Sequence, residues 1–368
     1  MSPKQKAMMP IKVARTLLNL IGVRFLSDLR VFWYAYMPGM MVLTYILLAV
    51  YTVIYYTYHN QFSTGLKGTC VIGVALPEVI LYFEGINSNR YRFRKILFFA
   101  TDFIYKDKKI ETKLDRLCDH YGTKSIKMVI LYMAFILLST GQALIGPMIR
   151  FFQTGEFVTF LAVKLPFIDE DLVWGLHLNI AVQMTITVFG TVGGLTIEMA
   201  SCIVNNTIML CSDIISFECN ELSENIRKSN TSSNQIFAHL RNIMVQIQDF
   251  DRFVVEMSEI FYWRLFSAPV LIVYSVSISI FCQYVLDFPC GYGFAILAYS
   301  QLMIICYMGE IVLEANERIT AALDRMPWYL LPLEKQKDIA HLMHRTQNGA
   351  VLTIGPFSAL NYEAATNV

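Results

Sequence analysis

The sequence has little charge. Only 16% of its residues are Asp, Glu, Lys or Arg, whereas 55% are hydrophobic and the mean hydropathy is +0.46. Soluble domains carry roughly 25% charged residues, so this composition excludes a soluble domain and indicates an integral membrane protein. The formal net charge of +1 gives no reason to expect nucleic acid as a partner.

The sequence also lacks the motifs of enzymes and metal proteins. It contains no HExxH, no GxSxG with triad partners, no Walker loop and no dinucleotide fingerprint, and no CxxC spacing among eight cysteines. His341 and His344 have no third ligand near them in sequence, so a polar helix face explains them better than a metal site. We expect no enzyme, no metal and no cofactor. A disulfide between Cys70 and Cys290 is left open.

Six apolar runs are long enough to cross a bilayer, because a spanning helix needs roughly 20 apolar residues. They cover residues 34–58, 66–86, 126–149, 172–204, 260–286 and 291–314. Runs of this length favour helices over a barrel. The third run closes on Gly146 and Pro147, a pair that suits a helix end or a kink. The sequence therefore predicts an all-α membrane protein.

Basic residues are few in every second connecting segment. Of the 30 lysines and arginines, all but Lys67, Arg150 and Lys164 lie in or beside the N-terminal segment and alternate loops. Positively charged short loops stay in the cytoplasm, so we expect a cytoplasmic N-terminus, an amphipathic segment at 1–30 and no removable signal peptide. The glycosylation patterns at Asn205 and Asn230 fall on the cytoplasmic side and should stay unmodified.

The connections on the predicted cytoplasmic side contain helical patterns of their own. Between 231 and 261, after a cap candidate at Ser232 or Ser233, apolar residues recur with a helical period. They are Phe237, Leu240, Met244, Ile247, Phe253, Val254, Met257 and Phe261. We therefore divide the chain into spans one to four (31–204), a helical hairpin (205–258), spans five and six (259–314) and a second amphipathic segment (315–360). Packing within one subunit and oligomerisation are both open roles for the hairpin.

Four glutamates and three glycines stand out inside the spans. An ionisable group at the bilayer centre costs about 2.5 to 3.5 kcal/mol on insertion scales, so we expect intersubunit or interhelical hydrogen bonds at Glu78, Glu84, Glu198 and Glu310. Gly190, Gly193 and Gly194 of the fourth span indicate close helix packing or local bending rather than a nucleotide loop.

The outer halves of the spans carry small and polar residues on shared helical faces. Mostly apolar walls with a few hydroxyls and amides are typical of a pocket for a small lipophilic ligand. Ordinary helix packing is the alternative for any single residue. The candidate ligand-binding residues are Val74, Ser139, Gln142, Ala143, Gly146, Leu176, Asn179, Ile180, Gln183, Tyr292, Ile296 and Tyr299.

The segment from the sixth span onward resembles the insect odorant receptor family. In that family a tyrosine or cysteine with a glycine on helix six, a tryptophan in the next segment and a glycine-phenylalanine turn before the last helix occur in this order. The matching residues here are QLMIICYMGE at 301–310, Trp328-Tyr329, HLMHRTQ at 341–347, Gly355-Pro356-Phe357 and Asn361-Tyr362-Glu363.

This resemblance implies a seven-helix subunit with an inverted topology in a tetrameric, ligand-gated, non-selective cation channel. It implies a small volatile odorant as ligand, a shared co-receptor subunit and membrane lipid as partners, and the plasma membrane of olfactory sensory dendrites as location. It also implies that 205–258 and 315–360 form a cytoplasmic anchor. Residues 361–368 would begin the pore-lining seventh helix, which is incomplete in this sequence, and no gate or filter residue can be assigned.

Two other classes of membrane protein compete with this interpretation. A G-protein-coupled receptor needs an outward N-terminus and an acidic-Arg-Tyr motif closing helix three, whereas the third span closes with Met148-Ile149-Arg150 on the predicted outer side. A secondary transporter predicts inverted repeats with discontinuous helices and a midplane charge. The sequence shows no convincing repeat and no charge at the predicted midplane.

Overall fold

The computed structural model describes residues 23–24, 30–31, 36–87, 90–105, 111–155, 161–168, 172–227, 232–355, 358–361 and 363. Nearly all of these residues are helical, which confirms the predicted fold class. The helices are α1 (Met37–Tyr58), α2 (Phe62–Leu66), α3 (Ile72–Asn87), α4 (Arg90–Tyr105), α5 (Glu111–Thr154), α6 (Val173–Arg227), α7 (Ser233–Val285), α8 (Gly291–Asp324) and α9 (Leu333–Gln347).

Short elements connect and flank these helices. Two 3₁₀ helices cover Lys67–Thr69 and Trp328–Leu330. Strand β1 (Val23–Arg24) pairs antiparallel with β2 (Arg30–Val31), and β3 (Thr353–Ile354) pairs antiparallel with β4 (Ser358–Ala359). The β3–β4 hairpin turns at Gly355, whose φ of +55° suits glycine.

Six helical stretches in the described part of the chain are long and apolar enough to cross a membrane. A further candidate is the pair Phe62–Thr69 and Ile72–Phe83, which is bent by 41° and coincides with the predicted second span. Two of the six stretches, Val173–Gly194 and Ser201–Arg227, belong to the single helix α6. The structure thus contains helices at all six predicted spans.

Helix α6 changes its surroundings along its length. Its first stretch, Val173–Gly194, is 22% buried inside the protein, as suits a helix that faces lipid, whereas Ser201–Arg227 is 83% buried. The second stretch packs with α7, α8 and α9 in the largest apolar core, around Ile208, Phe250 and Leu323. Only the first stretch is therefore in the surroundings of a membrane span, and the second is the core of a helical bundle.

The predicted amphipathic hairpin is built from the ends of α6 and α7. Six of the eight apolar positions predicted between 231 and 261 are fully buried in α7, and the other two, Phe237 and Met244, are half-buried. Helix α9 covers the predicted amphipathic run after Pro332, and Asp251 of α7 receives a 2.8 Å hydrogen bond from Nε of Arg345 in α9.

One expectation about a helix end is wrong. The third span does not end at Gly146-Pro147, because α5 continues to Thr154. A proline removes one hydrogen bond from a helix, and membrane helices tolerate this loss. The basic connection after the second span contains a helix, α4 (Arg90–Tyr105). Its basic residues alternate with an apolar face that includes the buried Ile96 and Phe103.

Glycine lets α3 and α7 approach very closely. A Cβ atom at Gly73 would lie 1.7 Å from the carbonyl oxygen of Leu271, and the Gly73 amide donates a 2.9 Å hydrogen bond to Oγ of Ser275. Gly309 of α8, in the motif at 301–310, is equally constrained, because its Cβ would lie 2.0 Å from the carbonyl oxygen of Leu360. The motif glycine thus allows the segment after β4 to lie against α8.

The disulfide between Cys70 and Cys290, which the sequence leaves open, is not formed, and both side chains are buried. Cys70 instead shares a hydrogen bond with the thiol of Cys282. Asn205 is fully buried inside α6, which agrees with its predicted lack of glycosylation. Asn230, most of the amphipathic segment 1–30 and most of the seventh-helix start at 361–368 lie outside the described residues.

Candidate functional site: a cavity between four helices

A cavity of about 140 Å³ lies between α1, α3, α6 and α8. Its wall is mainly aliphatic and aromatic and includes Val74 and Tyr82 of α3 and Phe294 of α8. Ile136 of α5 and Leu161 of the segment 161–168 complete it. Such an apolar site with few polar groups suits a small lipophilic molecule.

Glycines of α6 form one side of the cavity. Gly190 and Gly193 both line it, and a Cβ at either would lie 3.2 Å from a carbon of α1, Cγ2 of Val42 or Cβ of Pro38. The close packing expected at these two positions is therefore present. Gly194 also lines the cavity, but a Cβ there would meet no atom within 4 Å, so its close-packing role is not supported.

The segment 161–168 is fixed against the cavity by two amide side chains of α6. Asn179 Nδ2 and Gln183 Nε2 each donate a 3.1 Å hydrogen bond to the carbonyl oxygen of Val163, and Oε1 of Gln183 accepts one from the Leu161 amide at the same distance. On the other side, the Lys164 amide donates to Oγ1 of Thr52 in α1 at 2.8 Å. These bonds hold Leu161 in the cavity wall.

The predicted site residues that the structure describes have four different placements. Val74 lines the cavity. Asn179 and Gln183 are fully buried and hold the segment above it, and Leu176 and Ile180 are half-buried on the same helix outside the lining. Tyr292, Ile296 and Tyr299 lie on the exposed surface of α8, Tyr299 with 55% of its surface accessible. The side chains of Ser139, Gln142, Ala143 and Gly146 lie outside the described residues.

The face of α8 that reaches the cavity differs from the predicted one. Gly293, Phe294, Leu297 and Gln301 line it, so Phe294 and Gln301 take the places expected for Tyr292 and Tyr299. An offset of two residues is about 200° around a helix. Lipid and protein interior are both apolar, so hydropathy does not distinguish the two faces of a spanning helix. The one sequence signal for the inner face was Gln301, a polar side chain in a membrane span.

A buried charged cluster lies beside the cavity. Arg264 of α7 donates through Nη2 to Oε1 of Glu78 at 2.7 Å and to Oε1 of Glu198, and through Nη1 to Oγ of Ser201 at 2.9 Å. Glu78 lines the cavity, whereas Glu198 is completely buried behind it. The interhelical hydrogen bonds expected at Glu78 and Glu198 are confirmed. The side chain of Glu84 is outside the described residues, and Glu310 is half-buried.

The described residues contain no group of three or more His, Cys, Asp and Glu that could hold a metal ion. His341 and His344 are exposed on α9, as expected of a polar helix face. The cavity thus presents an apolar surface and a few hydrogen-bonding groups.

Comparison with known proteins identifies a family and two solved structures that this chain resembles. The family described as 7tm Odorant receptor matches residues 90–368. The fold is similar to that of the insect olfactory receptor OR5 from Machilis hrabei, with a TM-score of 0.68 and 14% identity over 97% of this chain and 93% of that chain. The same receptor in complex with eugenol gives a TM-score of 0.69 and 12% identity over the same shares. The chain belongs to the 7tm odorant receptor family.

Proposed function

We propose that this chain is the odorant-binding subunit of a ligand-gated, non-selective cation channel and that the odorant occupies the cavity between α1, α3, α6 and α8. The observation that carries the proposal is this cavity in a multi-pass helical protein of a receptor family. An apolar cavity of about 150 Å³ in another protein binds benzene. A cavity of about 140 Å³ therefore suits a small volatile molecule.

The similarity to a receptor in complex with eugenol supports an odorant as ligand. Eugenol is a small, mostly apolar molecule with a few oxygen atoms, which is the chemistry that the cavity wall suits. The segment 161–168 would face the outside, in agreement with the distribution of basic residues, and would cover the bound ligand.

Opening requires that the ligand binds the open state better than the closed state, because equal affinity for both shifts nothing. The cavity wall has a physical connection to the rest of the bundle, since Glu78 is bound to Arg264 of α7. Helices α6, α7 and α8 all continue from the cavity region into the large apolar core. A shift of the cavity wall on ligand binding would displace these helices and open a pore formed by four subunits, including a co-receptor.

Whole-cell recording tests the proposal. The chain is expressed with and without an odorant co-receptor, and currents are recorded during a volatile panel with G-protein signalling blocked. We expect odorant-evoked cation currents that need both subunits and persist under the block. Currents that vanish under the block would favour the G-protein-coupled class, and the absence of currents from a surface-expressed pair would refute the proposal.

A further inference from the structure

Gln301 of α8 is a buried polar side chain without a hydrogen-bond partner among the described residues. It lines the cavity and is only 4% exposed, and its amide makes no hydrogen bond with any residue that the structure describes. Most buried polar groups in proteins have a hydrogen-bond partner. A buried amide without one therefore needs an explanation.

Two hydroxyls of the wall are already engaged. Tyr45 donates its hydroxyl to the carbonyl oxygen of Gly68 at 2.6 Å, and Thr187 donates to the carbonyl oxygen of Gln183 at 2.9 Å. Glu78 is bound through Oε1 to Arg264, whereas its Oε2 has no hydrogen-bond partner among the described residues, and Thr191 adds a further hydroxyl to the wall. Gln301 differs from these groups, because its amide offers two N–H donors and a carbonyl acceptor to a molecule in the cavity.

We propose that Gln301 is the specificity-determining residue of the cavity and that it selects ligands with a single small oxygen function, a carbonyl or a hydroxyl, over hydrocarbons of the same shape. The amide donates to a ketone or aldehyde oxygen and can both donate to and accept from a hydroxyl. A hydrocarbon of equal size leaves the buried amide unsatisfied, and sites built to hydrogen-bond a ligand reject analogues that lack the polar group. This inference rests on the proposed odorant site and names its ligand class.

Binding to the detergent-solubilised receptor tests the inference without any need for current. Thermal unfolding is followed at increasing concentrations of two isosteric pairs, acetophenone with α-methylstyrene and benzyl alcohol with ethylbenzene, and an apparent Kd is obtained from the concentration dependence. We expect each oxygenated probe to bind roughly 10-fold tighter than its hydrocarbon partner. Equal stabilisation within both pairs, or none by any probe, would overturn the inference.

Two variants then assign the preference to one side chain. Gln301→Met keeps the length and flexibility of the side chain without its polar group, and it should abolish the preference for oxygenated probes. Thr187→Val is the matched control, because its hydroxyl lines the same cavity but is already bonded within the protein. It should keep the preference. A preference that survives in Gln301→Met, or disappears equally in Thr187→Val, contradicts the assignment.

A third variant provides the test if Gln301→Met does not fold. Gln301→Asn keeps the amide but withdraws it by one methylene, so the preference should weaken without reversing, and an unchanged preference would count against Gln301. The result of these binding measurements can be distinguished from a failure of the proposed channel function. A receptor that prefers oxygenated probes through Gln301 but passes no current refutes the channel and keeps the site.

Discussion

Arg264 and Glu78 are joined by a 2.7 Å hydrogen bond between Nη2 and Oε1, and Glu78 is at the same time a wall residue of the cavity. The arginine is 1% exposed and also contacts Glu198, which is completely buried. Two helices that are far apart in sequence, α3 and α7, are therefore linked by buried charges beside the site. A shift of the cavity wall would change the surroundings of Arg264.

Replacement of Arg264 should strongly destabilise the receptor. Arg264→Met leaves two buried carboxyl groups without their cation, and breaking a buried pair costs about 3 to 5 kcal/mol. We expect a large loss of thermal stability in detergent and reduced surface expression. Arg241→Met, at an exposed position of the same helix, should have little effect. Adding Glu78→Gln and Glu198→Gln to Arg264→Met should restore part of the stability, and no restoration would argue against the charge explanation.

The segment 161–168 should control odorant affinity through Gln183. Gln183→Met removes the hydrogen bonds to the Val163 carbonyl and the Leu161 amide, so the segment holds Leu161 in the wall less firmly, through Asn179 and Thr52. We expect odorant potency in whole-cell recordings to fall by roughly 10-fold, the effect of losing one to two hydrogen bonds. The control is Thr185→Val, whose exposed hydroxyl bonds only its own helix. Equal potency of the two variants would contradict a covering role.

Neighbouring residues of α8 should differ in their effect on ligand binding. Phe294→Ala enlarges the cavity and removes apolar contact with the ligand. For ligands that fill the site, potency should therefore fall by roughly 10-fold or more. Tyr292→Ala, two positions earlier on the exposed face, should leave potency nearly unchanged. Dose-response curves measured with one odorant compare the two. The reverse order would indicate that the ligand contacts the face of α8 that carries Tyr292, one of the residues predicted from the sequence.

Gly73→Ala should disrupt the contact between α3 and α7. The added Cβ would lie 1.7 Å from the Leu271 carbonyl oxygen, so the helices must separate, at a cost of about 1 to 3 kcal/mol for overpacking. Thermal unfolding should occur at a clearly lower temperature. Gly141→Ala in α5 is the matched control, because a Cβ there meets no atom within 4 Å. Similar unfolding temperatures for the two variants would be evidence against this close approach.

The contact between Asp251 and Arg345 should make stability depend on pH. Burial raises the pKa of Asp251 above 3.8, and Arg345 partly opposes this effect. A carboxyl group with a raised folded-state pKa favours folding when protonated, so stability falls as pH rises from 3.8 through the folded pKa. Arg345→Gln raises that pKa further and should lower stability by about 1 kcal/mol or less at neutral pH.

The loss should disappear in acid, where Asp251 is protonated in both folded and unfolded chains. Unfolding temperatures measured across a pH series check this expectation. Arg252→Gln serves for comparison, because its pair with Asp249 spans 3.8 Å and the arginine is 68% exposed, so its removal should matter less at every pH. A loss in Arg345→Gln that is constant with pH would mean that the contact does not act through the Asp251 charge.

The placement of α6 and α7 shows what the pattern of apolar residues can predict. A spanning helix needs a run of fixed length, and the runs at 172–204 and 260–286 were too conspicuous to miss. The buried face of α7 was equally readable, because outside the membrane a polar residue on the opposite face marks the solvent side. Phe253 and Phe261 were predicted on this basis and are buried.

Within the membrane that contrast is absent. Tyr292 and Phe294 are both apolar aromatic residues of one helix, and lipid and cavity accept either of them. Asn179 and Gln183 were predicted as ligand contacts because they are polar, but the structure gives them backbone partners in a segment 16 to 22 residues earlier. Their part in ligand binding stays a prediction.

The sequence by itself determined that this chain is a multi-pass helical protein and, through the motifs after the sixth span, the family to which it belongs. Run length and the order of a few residues carry that information, because both are local. Only the tertiary structure decided which face of α8 meets the cavity, which amides hold the segment 161–168 and that Arg264 is the partner of Glu78. These are contacts between helices up to 186 residues apart, and they depend on how each helix is rotated and how deep it lies, which packing alone determines.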